Sequence, residues 1–281
     1  MNHKKVQEIE LILDCEITSS RRLSGGSGDN IFLLKTSKNR KYVYKSGAVN
    51  SISPQAFFYK EYSELPYLPR LIYSKPDELI IDYLDLKKLR ENYSKIEILE
   101  ILTESFLSKY KIISQTERFG FLSGFLTAKS FADFIIKQSQ EAYKYISDIF
   151  QVDELNSLVD LIKIRYSHDY FSTKYLIHGD FGFHNIFYTF DKPLGIIDPD
   201  PIIGHPLYDL LFAFCSTPEQ INPKNYDTCL SRFLKIFPIN LDRKSDFLKI
   251  SLFKRISSCR KHHPEDLQSY LQIWRDIKNF E

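Results

Sequence analysis

Asp180, Asn185 and Asp198 combine residue types and spacings that suit a proton acceptor and two hard oxygen ligands. Asp180 stands in the run 176–188, LIHGDFGFHNIFY, with Asn185 five positions later, and Asp198 closes the apolar run 194–197, LGII, thirteen positions after Asn185. Phosphoryl transfer asks for such a set. The transferring group does little covalent chemistry with the protein, so catalysis reduces to positioning the donor, neutralising its charge and orienting the attacking hydroxyl. Magnesium prefers octahedral oxygen coordination and is held through one or two carboxylates plus substrate phosphates. Asn185 and Asp198 can supply oxygens of that kind, and a third group is needed to receive the acceptor's proton, a part open to Asp180. A kinase catalytic loop likewise sets its carboxylate five positions before a metal-binding asparagine.

These residues need elements to hold them. Residues 185–188 and 194–197 read as two strands joined by the turn 189–193, and antiparallel pairing would bring Asn185 and Asp198 side by side. Upstream, 31–35 and 41–45 read as strands around the polar turn 38–40. Alternation then puts Val43 and Lys45 on one face and Tyr42 and Tyr44 on the other. A helix is expected from Pro54, with Phe57, Phe58, Tyr62 and Leu65 as its apolar stripe and Glu61 off it, able to turn towards Lys45. Residues 78–84, ELIIDYL, form a further strand. Beyond Asp85 the periods are helical: Ser94 and Glu97 carry a capping-box signature before Ile98, Leu102, Phe106 and Tyr110. Two more stripes follow, Phe131, Ile135, Ala142, Tyr145 and Ile149, then Leu155, Leu158, Val159 and Ile162. This order predicts an α+β chain of two lobes, a small antiparallel-sheet lobe over 1–84 and a larger helical lobe over 85–281, with nucleotide between them.

HGDFGFHN, followed by GIIDPDPIIGHPLYDL, resembles the catalytic core of the aminoglycoside phosphotransferase family, whose members share the bilobal protein-kinase-like fold. The resemblance covers nearly the whole chain, from LSGGSGDN at Leu23 onwards. It implies that Asp180 is the catalytic base and that Asn185 and Asp198 bind Mg2+. It also implies an ATP or GTP site built from several segments. Gly25, Gly26, Ser27 and Gly28 would aim amide hydrogens at phosphate oxygens. Lys45 would contact phosphates and pair with Glu61, for which Glu64 is the alternative, beside Val43. Backbone around Asp82, Tyr83 and Leu84 would hold the base. His178 is expected to support the loop, and Asp209 to orient it through hydrogen bonds. Asp200, where a protein kinase has glycine, is a further candidate for metal or acceptor. GGSG lacks the form GxxxxGK[ST], which excludes a P-loop NTPase.

Composition sets the wider bounds. The 281 residues are 43% hydrophobic and 26% charged with a formal net charge of +2, the profile of a globular protein rather than a nucleic-acid binder. Cys15, Cys215, Cys229 and Cys259 show no pairing rhythm and read as reduced thiols. His184, His205, His262 and His263 lack the partner spacing of a zinc site. No apolar run approaches the roughly 20 residues of a membrane span. A cytoplasmic monomer acting on a small hydroxylated molecule is expected, with neither nucleic acid nor membrane as partner. IDPDP runs directly into GHPLYDLLFAF, which leaves little room for a peptide platform and disfavours a protein kinase. An aminoglycoside is the acceptor nearest the resemblance, and antibiotic resistance the role it suggests. Choline, homoserine or a sugar are alternatives, as is a nucleotide-binding regulator without turnover. Residues 221–281 carry twelve Lys and Arg against seven Asp and Glu, a net of +5, where a polycationic acceptor calls for carboxylates. Glu219, Glu265, Asp266 and Asp276 are the acids available to meet one.

Overall fold

The computed structural model describes residues 1–23, 30–87, 94–189 and 194–277. Along the chain lie α1 (His3–Leu13), β1 (Ile17–Arg22), β2 (Asn30–Thr36), β3 (Lys41–Ser46), α2 (Val49–Glu61), β4 (Leu71–Lys75), β5 (Glu78–Asp82) and β6 (Leu86–Lys87). Then come α3 (Lys95–Ser105), β7 (Phe119–Phe121), β8 (Thr127–Ala128), α4 (Phe131–Tyr143), α5 (Val152–Arg165) and β9 (Tyr175–Ile177). The last are β10 (Ile186–Thr189), β11 (Gly195–Ile196), β12 (Ile202–Gly204), α6 (Leu207–Cys215), α7 (Pro223–Ile236), α8 (Lys244–His262) and α9 (Leu267–Asp276). They form two compact units, Met1–Leu89 with Ile186–Asp200, and Arg90–Asn185 with Pro201–Glu281. The hairpin that sequence places in the C-terminal lobe thus groups with the first unit.

In the first unit an antiparallel sheet runs in the order β1-β2-β3-β5-β4. The expected alternation holds on β3: Tyr42 and Tyr44 are buried with Leu34, Ile80 and Ile9 of α1 in one core, which leaves Val43 and Lys45 to the other face. Helix α2 packs against β4 and β5. It starts at Val49, not Pro54, and Pro54 lies inside it. A proline this near a helix start removes only one intrahelical bond, and burial of Ile52, Pro54, Ala56, Phe58 and Tyr59 compensates. Phe57, expected on the stripe, is 40% exposed. In the hairpin, β10 pairs with β11 in the register Ile186↔Ile196 and on its other side with β6.

The second unit is mostly helical, with α4 packed on α5 and α8, and α8 on α6 and α9. Ile98, Leu102, Phe106 and Tyr110 are buried as expected. Ser94 precedes α3 without a side-chain cap bond, so the capping box with Glu97 is not made. The distant Gln220 Oε1 instead accepts from the Lys95 amide at 3.1 Å. After α4 the stripe shifts: Tyr145 is 48% exposed, whereas Ile146 and Phe150 are buried, because the helix ends at Tyr143 and the 3.6-residue period ends with it. A small antiparallel sheet, β8-β7-β12-β9, has no counterpart in the sequence reading. Its strands of two or three residues are too short to show a two-residue period.

Candidate active site

Strand β9 delivers the putting-together of the loop from a buried start: Leu176 and Ile177 are fully buried, and β9 pairs with β12 through Ile202↔Ile177. At its end Gly179 adopts φ +82°, the left-handed region glycine enters without steric cost, and the chain turns into Asp180. Asp209, in the first turn of α6, fixes that turn. Its Oδ2 accepts from the His178 amide at 2.8 Å and from the Tyr110 hydroxyl at 2.6 Å, and its Oδ1 accepts from the Gly179 amide at 3.0 Å. Asp209 is fully buried, and burial pushes its carboxyl up to about 7 against the downward pull of those three donors. Phe181 stacks on Phe106 with centroids 5.4 Å apart. The loop is therefore held from behind by a carboxylate and beneath by aromatic packing.

Within this loop Asp180 and Asn185 meet. Asn185 Nδ2 donates to the Asp180 carbonyl at 2.9 Å and to Asp180 Oδ2 at 3.0 Å, and His184 Nε2 lies 3.3 Å from the same Oδ2. Burial raises the Asp180 carboxyl, but the hydrogen bond and charge of His184, with smaller help from His178 and Asn185, outweigh it and the net movement is downward. Asp180 is thus set as an ionised carboxylate. With its nitrogen donating to Asp180, Asn185 keeps its carbonyl Oδ1 as a hard oxygen donor.

Lys45, Asp198 and α2 lie in the first unit. Lys45 is only 5% exposed, and its Nζ pairs with Asp198 Oδ1 and donates to Gln55 Oε1 at 3.2 Å. Lys45 thus meets Gln55 on α2, and Glu61 is the last residue of that helix. Asp198 sits at φ +54°, and its amide donates to the Tyr59 hydroxyl at 3.3 Å. The side chain of Asp198 remains 43% exposed. Gln55 and Tyr59 lie one turn apart on α2. Both fall within the helix expected from Pro54, and their i, i+4 spacing is the one sequence signal of a shared face. Val43 is half-buried between Leu33 and Ile81. Asp82 closes β5 with its carboxylate 3.1 Å from Arg70 Nε, and its amide donates to the Arg70 carbonyl. Leu84 lies two residues beyond, in irregular chain, and Asp200 is exposed. Gly25, Gly26, Ser27 and Gly28 lie outside the described residues.

The amide oxygen of Asn185 in the second unit and the partly open carboxylate of Asp198 in the first are each oxygen donors of the kind magnesium takes. Among the described residues no group of three or more His, Cys, Asp and Glu gathers into a metal cage.

No family model matches the chain, and no curated protein does. Solved structures do. The GDP and kanamycin complex of APH(2")-IIia superposes with a TM-score of 0.61 at 15% identity, over 99% of each chain. A choline kinase from Cryptosporidium parvum Iowa II gives 0.61 at 12% identity, over 93% of this chain and 90% of that one. A macrolide 2'-phosphotransferase type I gives 0.60 at 10% identity, over 99% and 97%. What they share with this chain is the fold. The α+β, bilobal protein-kinase-like architecture expected from the sequence is the one observed.

Proposed function

We propose that the chain is a magnesium-dependent O-phosphotransferase that moves the γ-phosphate of ATP or GTP to a hydroxyl of a small molecule, acting as a cytoplasmic monomer. The observation that carries this reading is the Asp180 carboxylate, oriented by the Asn185 amide on a loop whose backbone is clamped by Asp209. In the reaction the acceptor oxygen forms a bond to the γ-phosphorus while the bond from that phosphorus to the β-bridging oxygen breaks. The hydroxyl proton passes to Asp180, and the nucleoside diphosphate leaves. Lys45 offsets phosphate charge from its buried position, with Val43, Asp82, Leu84 and Glu61 in the nucleotide's surroundings and the amides of Gly25, Gly26, Ser27 and Gly28 on its phosphates. Asn185 and Asp198 would hold the magnesium ion, which supplies charge neutralisation on the transferring group.

The acceptor is the open part of this reading. Enzymes named for aminoglycoside, macrolide and choline substrates share the fold, and an aminoglycoside is the acceptor nearest the sequence resemblance. Nucleotide consumption across aminoglycosides, choline, homoserine, sugars and hydroxylated acids tests the activity. Replacing Asp180 by Asn is expected to lower kcat by about 10²–10⁴ and to leave magnesium-nucleotide binding within twofold. Full turnover in D180N would end the assignment of the base, and tight nucleotide binding with no acceptor turned over would favour a regulator.

A further inference from the structure

A cavity of about 390 Å³ opens within the second unit, among α4, α6, α8 and the turn joining β7 to β8. That is the size of a small-molecule pocket. Its walls are aromatic: Phe121 and Phe125 meet edge to face at 6.2 Å, and Tyr208 and Phe212 stack at 6.3 Å. Phe125 is 79% exposed at the rim, apolar surface that a ligand body would remove from water.

Most charged groups of this cavity are basic. Lys254 Nζ lies 4.3 Å from the Tyr208 ring centroid and donates to Gln138 Oε1 at 3.1 Å, while Gln138 Nε2 donates to the Tyr208 hydroxyl at 3.0 Å. Both partners of Lys254 are neutral. Burial lowers its pKa to about 7, as expected of an ammonium whose charge the protein has not balanced. Lys261 Nζ sits 4.0 Å over the Tyr145 ring, and Arg255 is tied to the Tyr270 hydroxyl at 2.9 Å. Among the described lining residues these three cations face one carboxylate, Glu141. Both oxygens of Glu141 are engaged by Lys144, at 2.7 and 2.8 Å. A polycation would meet like charge here.

One wall residue of the cavity, Phe212, lies beside the loop that carries Asp180. A Cβ placed on Gly182, two residues after Asp180, would come within 3.2 Å of Phe212 Cε1. Phe212 therefore lies against the segment just after Asp180.

Taking the phosphotransferase reading above as given, we propose that this cavity seats the phosphoryl acceptor, and that the acceptor is an anion with a flat apolar body and a free hydroxyl. Its anionic group would be neutralised by Lys254 and Lys261 and its body covered by Phe125, Tyr208 and Phe212. The hydroxyl oxygen takes the γ-phosphoryl group, its proton goes to Asp180, and the nucleoside diphosphate departs.

Three isosteric probes test this on the full chain with magnesium and ATP: 4-(hydroxymethyl)benzoate, the neutral 1,4-benzenedimethanol and the cationic 4-(hydroxymethyl)benzylamine. Titration calorimetry, with a non-hydrolysable ATP analogue in place of ATP, is expected to rank them anion, neutral, cation, with at least tenfold between the first two. Lys254→Met, which keeps the stem and loses the charge, is expected to erase that preference while leaving the diol's affinity within twofold. Lys261→Gln at the rim is expected to weaken only the anion, several-fold. Mass spectrometry should find the phosphate ester of the benzoate. Turnover of another acceptor, such as kanamycin, without anion-selective binding overturns the pocket assignment and leaves the phosphotransferase standing. Anion-selective binding with no ester from any acceptor overturns the acceptor role together with the phosphotransferase reading.

Discussion

Asp209 carries three donors on two oxygens, a load that suits a carboxylate and not an amide. Its folded pKa of about 7 exceeds the roughly 3.9 of an unfolded aspartate. The folded state therefore binds more protons between those values, and the contribution of this group to stability is full below the unfolded pKa and is lost as pH rises through the folded one. Asp209→Asn should flatten that part of the stability profile, read as urea midpoints from pH 4 to pH 8. At neutral pH it should cost about 1–3 kcal/mol, since an amide N–H would face a backbone donor. Asp180 has the opposite sign: its pKa is lowered, so its contribution is present above the unfolded pKa and lost as pH falls through the folded one. The two aspartates thus divide their work, one ionised at the front of the loop and the other bracing the loop from its buried side.

Helix α2 and strand β7 show how elements set these side chains. Gln55 and Tyr59 lie one turn apart on α2, so a single helix face meets both Lys45 and the amide of Asp198. Tyr59→Phe removes the acceptor for that amide, at about 1 kcal/mol. With Asp198 less firmly held, magnesium-nucleotide affinity should fall several-fold in equilibrium titrations, while the circular dichroism spectrum is retained. In β7, Gly120 stands at φ +120°, and a Cβ there would lie 2.2 Å from the Leu126 carbonyl oxygen. Gly120 pairs with Thr127 of β8 and with Ile203 of β12, so the turn bearing Phe125 depends on this close approach. Gly120→Ala should lower unfolding free energy by about 1–3 kcal/mol through backbone strain, measured by urea denaturation.

Lys45 and Asp198 belong to the first unit, and Asp180, Asn185 and Asp209 to the second. A ligand that binds only the folded state stabilises it by mass action, so magnesium-ATP at a hundred times its Kd should add about 2.7 kcal/mol. Thermal unfolding should register that gain in the parent protein and lose most of it in Asp198→Ala. The strands around residues 31–45, the helical second half and the Asp180, Asn185 and Asp198 spacings are legible in the order of residues alone. Backbone periodicity and turn chemistry are local properties, legible over a few residues. Tertiary structure alone decided that Gln55 meets Lys45, that Asp198 reaches the same lysine from 153 positions away, and that Tyr110 and Asp209 close on the loop from either side in sequence. It also decided the basic aromatic cavity, whose lining comes from α4, α6, α8 and the β7–β8 turn. No periodicity encodes such meetings. They follow from which faces pack together, and packing is settled by the burial of the whole chain at once.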